Sequence, residues 1–203
     1  MIIQNGWEPR TIKRQSMISS PTTCKWRRRK RGSRPAHEES ESVETIEHVT
    51  FRRMTLKDLD RIMVIEKSSF SAPWSRNAFT GELSDNHFAR YLVMVLDDEI
   101  IGYGGMWIII DEAHVTNIAV YPPYRGKKLG ERLLRFMMAV AYTEGARRMT
   151  LEVRVSNFQA KNLSHKLNFV EAGIRKGYYT DNKEDAQIMW ANIPEPEEDD
   201  HAL

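Results

Sequence analysis

Two short stretches hold side chains whose types and order suit chemistry. The first runs Asn117-Ile-Ala-Val-Tyr-Pro-Pro-Tyr-Arg-Gly-Lys-Lys-Leu-Gly130. A strand-like segment ends there in a tight basic loop, which opens directly into an amphipathic helix. Backbone N–H groups at a helix start lack intrahelical partners and carry the positive end of the dipole, which suits them to an anion. Gly126 and Gly130 let the backbone approach a bulky group, and Arg125, Lys127 and Lys128 add positive charge. A pyrophosphate fits that array. From the spacing alone, an ordinary strand-to-helix turn with a solvated basic face fits as well. The second stretch is Leu151-Glu-Val-Arg-Val-Ser-Asn157. Strand alternation puts Leu151, Val153 and Val155 on one face and Glu152 with Arg154 on the other. If this strand lies beside the one that ends in the basic loop, Glu152 points toward whatever the loop holds. There it can accept a proton from an attacking ammonium. Alone, a glutamate on a solvated strand face is the plainer reading.

The elements that must position these residues can be read from residue 49 onward. Val49–Arg53 reads as a strand. Thr55 caps a helix with Asp58 and Asp60 in its first turn and Leu56, Leu59, Ile62, Met63 and Ile65 at helical spacing. Pro73-Trp-Ser75 breaks the chain, and Ser75 caps a second helix that carries Phe79 and Leu83. Tyr91–Leu96, the turn Asp97-Asp98 and Glu99–Ile110 form a hairpin. His114–Val120 follows as a strand that Pro122 and Pro123 stop. The long helix has Leu129, Leu133, Leu134, Met137 and Ala141 on one face and Gly145 at its C-terminal end. A strand over Met149–Val155, a helix over Asn157–Lys166, and strands over Phe169–Arg175 and Ala186–Ile193 complete an α/β sheet with helices on its faces.

Composition sets the limits. The 203 residues are 41% hydrophobic, enough for one core, and no apolar run approaches the roughly 20 residues of a membrane span. The single cysteine, Cys24, excludes an internal disulfide framework and fits a reducing, cytoplasmic setting. The histidines are scattered and no metal is expected. The net charge of +2 hides an asymmetry: residues 1–35 hold ten Lys or Arg against Glu8, which leaves the remainder at −7. Three units follow. Residues 1–48 form a disordered extension, basic and then acidic, residues 49–193 the folded domain, and residues 194–203 an acidic tail. The basic arm suits a nucleic-acid backbone, an organelle transit peptide or a plain solvated tail.

Taken together, these residues resemble the GNAT acetyltransferase superfamily, and within it the bacterial ribosomal-protein-alanine N-acetyltransferases. The resemblance spans about Val49 to Ile193. It rests on Pro73-Trp74-Ser75, Asn117–Val120, Arg125-Gly-Lys-Lys-Leu-Gly130, Leu151-Glu-Val-Arg154, Ser156-Asn157, Gly177-Tyr-Tyr179 and Glu184-Asp-Ala186. It implies a mixed, mostly antiparallel sheet flanked by helices on both faces, and acetyl-CoA as co-substrate with no metal. Main-chain groups of Ile118, Ala119 and Val120 would pair with the pantetheine arm. The amides of Gly126, Lys127, Lys128, Leu129, Gly130 and Glu131 would hold the pyrophosphate, and Asn157 would hydrogen-bond the cofactor. Glu152 would be the general base, with main-chain N–H near Val120 as oxyanion donor. The substrate N-terminus, that of a ribosomal protein, would lie between Trp74 and the Tyr178-Tyr179 hairpin. For the three aromatic residues, core packing is the competing role.

Two departures from the family stand out. Lys128 occupies a position where the family has glycine. Ser164, with Asn168 four residues on, stands where the family has the tyrosine that protonates the departing thiolate. A serine hydroxyl is a poorer acid, so the expectation is proton delivery through a water or direct release of the thiolate, at a reduced rate. Two alternatives remain in view: a GNAT enzyme acting on a small amine or lysine, and a catalytically weakened acyl-CoA-binding module docked to RNA through the basic arm.

Overall fold

The computed structural model describes residues 48–195 and the main chain of residues 2–4. The basic block, Cys24, the acidic block up to residue 47 and residues 196–203 lie outside the described residues, so the expectations attached to them are untouched. In chain order the elements are β1 (Ile2–Gln4), β2 (Val49–Arg53), α1 (Leu59–Ser69), α2 (Arg76–Ser84), β3 (Ala89–Leu96), β4 (Glu99–Ile109), β5 (Glu112–Val120), α3 (Leu129–Thr143), β6 (Arg148–Arg154), α4 (Phe158–Lys166), β7 (Val170–Arg175) and β8 (Ala186–Asn192). Seven strands run in the order β2-β3-β4-β5-β6-β8-β7, and β1 adds to β5. Every pair is antiparallel except β5 with β6.

The local chemistry explains the boundaries. Ser75 Oγ accepts the Ala78 N–H at 3.1 Å and starts α2. Asp97 and Asp98 both take positive φ (46° and 65°), the paired left-handed geometry of a two-residue hairpin turn. The helix expected from Thr55 opens instead as a 3₁₀ turn over Leu56–Asp58, with the Thr55 N–H donated to Asp58 Oδ2 at 2.7 Å.

The sheet separates two apolar layers. On one face α3 and α4 bury Leu133, Leu134, Met137 and Ala160 against Met94, Ile118 and Leu151. On the other, α1 and α2 bury Leu59, Ile62, Ile65 and Phe79 against Tyr91, Val93 and Tyr103. Fully burying one such Leu or Ile is worth about 1.5–3 kcal/mol. The α3 layer sits close to β4 because Gly104 leaves room: a Cβ there would lie 2.4 Å from Met137 Sδ. Gly104→Ala therefore forces the Met137 side chain to repack, at a cost of about 1 kcal/mol.

Two irregularities of β5 shape the site. A bulge offsets its register with β4, so that Gly105 pairs with Asn117 but Met106 with Val115. The extra residue is Thr116. Val115 and Ile118 both join the α3 layer, while Thr116 and Asn117 turn toward Tyr91 and Tyr103 of the other. In addition, β5 and β6 stay paired only at Glu112↔Arg148, Ala113↔Met149 and His114↔Thr150. Beyond that point the two strands part. Residues 117–119 of β5 pair with β1 instead, antiparallel, in the register Ile2↔Ala119, Ile3↔Ile118 and Gln4↔Asn117. This corrects the expectation that residues 1–48 are disordered throughout. Three residues are too few to show periodicity, and their partner lies more than 100 residues away.

Candidate active site

The parting of β5 and β6 opens a cleft with a basic end and an acidic one. Successive amides along a strand point to opposite sides. The Tyr121 N–H is donated to Ile101 of β4 at 2.8 Å. The N–H groups of Val120 and Ile118 therefore aim away from β4, into the cleft.

At the basic end, the chain after β5 turns through Pro122–Tyr124 and enters α3. Gly126 has φ +82° and Lys128 φ +58°, both left-handed. Lys128 thus holds, as a lysine, a conformation that favours glycine. A cavity of about 310 Å³ lies against this loop, walled by Val120, Arg125, Gly126, Lys128, Leu129, Gly130 and Glu131, and from α4 by Asn162 and Lys166. Three of the expected binders have other attachments. Arg125 turns inward, its Nε donating to the Val120 carbonyl at 2.8 Å and its Nη2 to Ser69 Oγ at 2.9 Å. The Glu131 amide is donated to the Lys128 carbonyl at 3.1 Å, and its carboxylate pairs with Lys166 at 2.9 Å. Asn157 caps α4, accepting the Ala160 N–H at 3.1 Å. The cavity, the helix start and the left-handed loop fit a bulky anion bound by main-chain groups, as a pyrophosphate would be. Sequence reading missed the α4 wall. Gln159, Asn162 and Lys166 share one helix face at three- and four-residue spacing, and that was the available signal.

At the acidic end, Glu152 lies on the α1–α2 side of β6. Its side chain is 12% exposed and its carboxylate is 3.3 Å from Arg175. Burial raises its pKa above the ordinary carboxylate range, and Arg175 offsets part of that rise. Two residues on, Arg154 holds Asp181 at 2.8 Å and Glu184 at 3.2 Å and lies over the Tyr179 ring at 3.9 Å. Asp181 in turn accepts a hydrogen bond from Ser71 Oγ at 2.5 Å, which ties the loop after α1 to the β7–β8 connection. The Ser71 and Arg154 hydrogen bonds hold the Asp181 pKa down at about 2. A second cavity, about 320 Å³, is lined by Ser69, Phe70, Ser71, Arg154, Asn157 and Tyr179. Glu152 is not in its wall.

The expected peptide-binding aromatics divide. Tyr179 is buried, and its hydroxyl donates to the Glu152 carbonyl at 3.4 Å. Tyr178 is half-buried, with Arg175 over its ring at 5.0 Å. Trp74 packs against Phe79 with centroids 5.5 Å apart. Its main-chain N–H donates to Glu66 Oε1 at 2.8 Å, and Glu66 also accepts from the Tyr103 hydroxyl. Glu66 is completely buried, and burial pushes its pKa up to about 7. Sequence reading passed over Glu66, because nothing in the pattern of α1 marks a buried carboxyl. Beside it the Asn117 amide is buried with neither polar atom in a hydrogen bond of normal geometry.

Ser164, the expected stand-in for a thiolate-protonating tyrosine, is completely buried, and its hydroxyl donates to the Ala160 carbonyl at 2.9 Å. His165 faces β7, with Nε2 3.5 Å from Glu171. Among the described residues no helix is long and apolar enough to cross a membrane, and no three His, Cys, Asp or Glu side chains are grouped to hold a metal.

The profile of the Acetyltransferase (GNAT) family matches residues 59–169. A Bacillus subtilis (strain 168) protein, provisionally named [ribosomal protein bS18]-alanine N-acetyltransferase, is 49% identical over 144 residues, which are 71% of this chain and 95% of that protein. The [ribosomal protein bS18]-alanine N-acetyltransferase of Salmonella typhimurium (strain LT2) is 36% identical over 144 residues, 69% of this chain and 95% of the relative. The crystal structure of the ribosomal-protein-S18-alanine N-acetyltransferase from Escherichia coli superposes with a TM-score of 0.67 at 31% identity. That match covers 74% of this chain and 97% of the other. With the mixed sheet, the cleft between β5 and β6 and the loop into α3 in place, these matches establish that the chain belongs to the GNAT family of acetyltransferases.

Proposed function

We propose that this enzyme transfers the acetyl group of acetyl-CoA to the α-amine at the N-terminus of a ribosomal protein. The observation that carries this reading is the placement of Glu152: a shielded carboxyl, its pKa raised by burial, on the face of β6 below the joined Ser71–Asp181 loops. The relatives' names point to bS18 and to alanine as the acceptor residue.

Acetyl-CoA, a co-substrate, supplies a thioester carbon for the amine to attack. The chain's own groups do the rest. The amides of Gly126, Lys127, Lys128, Leu129 and Gly130, with the charges of Lys127 and Lys128, hold the pyrophosphate end. The main-chain edge at Ile118, Ala119 and Val120 takes the pantetheine arm like an added strand, and Asn157 borders it. Glu131 and Arg125 shape this end through their side-chain ties. Glu152 takes the proton from the ammonium, directly or through one water, so that a neutral amine attacks. The Val120 N–H meets the charge that grows on the acetyl oxygen. Trp74, Tyr178 and Tyr179 frame the peptide entrance. Ser164 is committed to the Ala160 carbonyl, so the departing sulfur takes its proton from water. Contact between the ten cations of residues 1–35 and RNA remains a second, compositional part of the reading.

The test mixes the enzyme with acetyl-CoA and peptides beginning with Ala, Ser, Gly or Met, alongside a polyamine and a lysine peptide. One acetyl on an α-amine, lost in Glu152→Gln, is the expected result. Transfer to the polyamine or lysine alone overturns it in favour of another acceptor. Binding of acetyl-CoA without turnover favours the binding-module reading, to which the buried Ser164 lends its weight.

A further inference from the structure

The edge that would take the pantetheine arm already has an occupant. Beyond His114 and Thr150, β5 and β6 no longer pair, yet Val115 to Val120 are at most 1% exposed. Main-chain donors and acceptors buried there need partners. Residues 2–4 supply those of Ile118. They pair with residues 117–119 and lie within 8 Å of β6 as well, inside the cleft rather than on the outer border of the sheet. Because the Tyr121 amide faces β4, both main-chain groups of Ile118 face β1, which makes Ile3↔Ile118 the pair that exchanges two hydrogen bonds. The antiparallel direction carries the N-terminal side of β1 toward Val120 and the basic loop. The segment therefore follows the path of a cofactor arm running from the phosphate loop into the cleft.

We propose that residues 2–4 are a built-in occupant of the acyl-CoA slot, a strand that covers the edge of β5 in the absence of acetyl-CoA and is displaced when it binds. This rests on the reading of residues 118–120 as the pantetheine edge. A three-residue strand sets a few main-chain hydrogen bonds against the ordering of its own backbone. That leaves docked and undocked states within about a factor of ten of each other. Apparent cofactor affinity falls in proportion to the fraction of open sites.

The experiment compares four proteins: the full chain, the chain lacking residues 2–4, Ile3→Pro, and Ile2→Pro as control for a residue whose N–H points away from β5. Acetyl-CoA binding is measured by calorimetry, and hydrogen exchange is read at the Ile118 amide. The expected result is about 2–10-fold tighter acetyl-CoA binding on deletion and in Ile3→Pro. Free protein lacking the strand exchanges faster at Ile118. A peptide of residues 1–6 added to the deleted chain competes with acetyl-CoA. Equal acetyl-CoA affinity in the full and deleted chains overturns the proposal. If neither form binds acetyl-CoA but Ile118 loses protection on deletion, the strand docks without competing; the cofactor reading has then failed with the competition, while the docking stands. Unchanged exchange at Ile118 removes the docking itself.

Discussion

The two ends of the cleft are built on different principles. The basic end, from Val120 to Glu131, relies on main-chain geometry: a left-handed loop, a helix start and amides pointing away from β4. The acidic end relies on side chains brought from far apart. Ser71, Arg154, Asp181 and Glu184 come from three separate segments and meet within one set of hydrogen bonds. Backbone devices tolerate changes of side chain, which explains how Lys128 can stand in for glycine. Side-chain networks fail when one member is lost. The peptide end should therefore be brittle and the cofactor end forgiving.

The largest effect expected is at Glu152. Glu152→Gln lowers kcat by about 10²–10⁴-fold, the usual worth of a general base, and leaves acetyl-CoA binding unchanged in calorimetry. In the parent enzyme, kcat/KM rises with pH through a value above the ordinary glutamate range, because the base works only when deprotonated and burial holds the proton longer. Loss of that limb in the variant checks the assignment; an unchanged profile refutes it.

Next is Glu66, the buried anchor of Trp74. Its folded pKa of about 7 lies above its ordinary 4.5. Between these values the unfolded chain has released the proton that the folded protein keeps. Folding stability is therefore intact below about pH 4.5, declines as pH rises toward 7, and is level above it, by up to about 3 kcal/mol. Thermal melts of the parent across pH 4.5–8 should show this decline, and Glu66→Gln should remove it.

Arg154→Ala comes third. It removes the one cation shared by Asp181 and Glu184, so the peptide KM rises about tenfold while acetyl-CoA affinity is unchanged, as separate titrations can show. If both change together, the two ends are not independent and the contrast fails. Lys128→Gly is expected to stabilise by about 1 kcal/mol or less, since relief of left-handed strain is offset by backbone entropy. Smallest is Ser164→Ala. With its hydroxyl already held by Ala160, kcat should stay within about twofold.

The same division governs what the sequence revealed. The elements from Val49 to Asn192 lie within a few residues of their expected positions, because hydrophobic period, caps and turn residues are local signals. The basic loop was legible for the same reason, as Gly126, the lysines and the start of α3 are contiguous. Ser71–Asp181 and Glu66–Trp74 were not, since no local pattern says which distant side chains will meet. Glu152 could be placed on a strand face by alternation, but its shielding depends on Arg175 and the β7–β8 connection. For β1 the sequence offered three residues without a period, and only the opened edge of β5 gives them a role.

The bulge at Thr116 gives β5 one residue to spare. Val115 and Asn117 pair with the neighbouring Met106 and Gly105 and already face opposite layers, so that Ile118 and Val120 face α3 while Asn117 and Ala119 face the α1–α2 layer. Loss of the single codon for Thr116 would therefore restore an unbroken ladder and leave both faces, and the cleft-facing amides of Ile118 and Val120, where they are; what is lost is the hydrogen bond between Thr116 and Tyr91. Loss of Ala119 is different: with the bulge drawn out to fill the gap, Asn117 enters the apolar layer beneath α3 and the Ile118 amide turns toward β4. The same one-residue deletion keeps the strand's faces at one position and exchanges them three residues later.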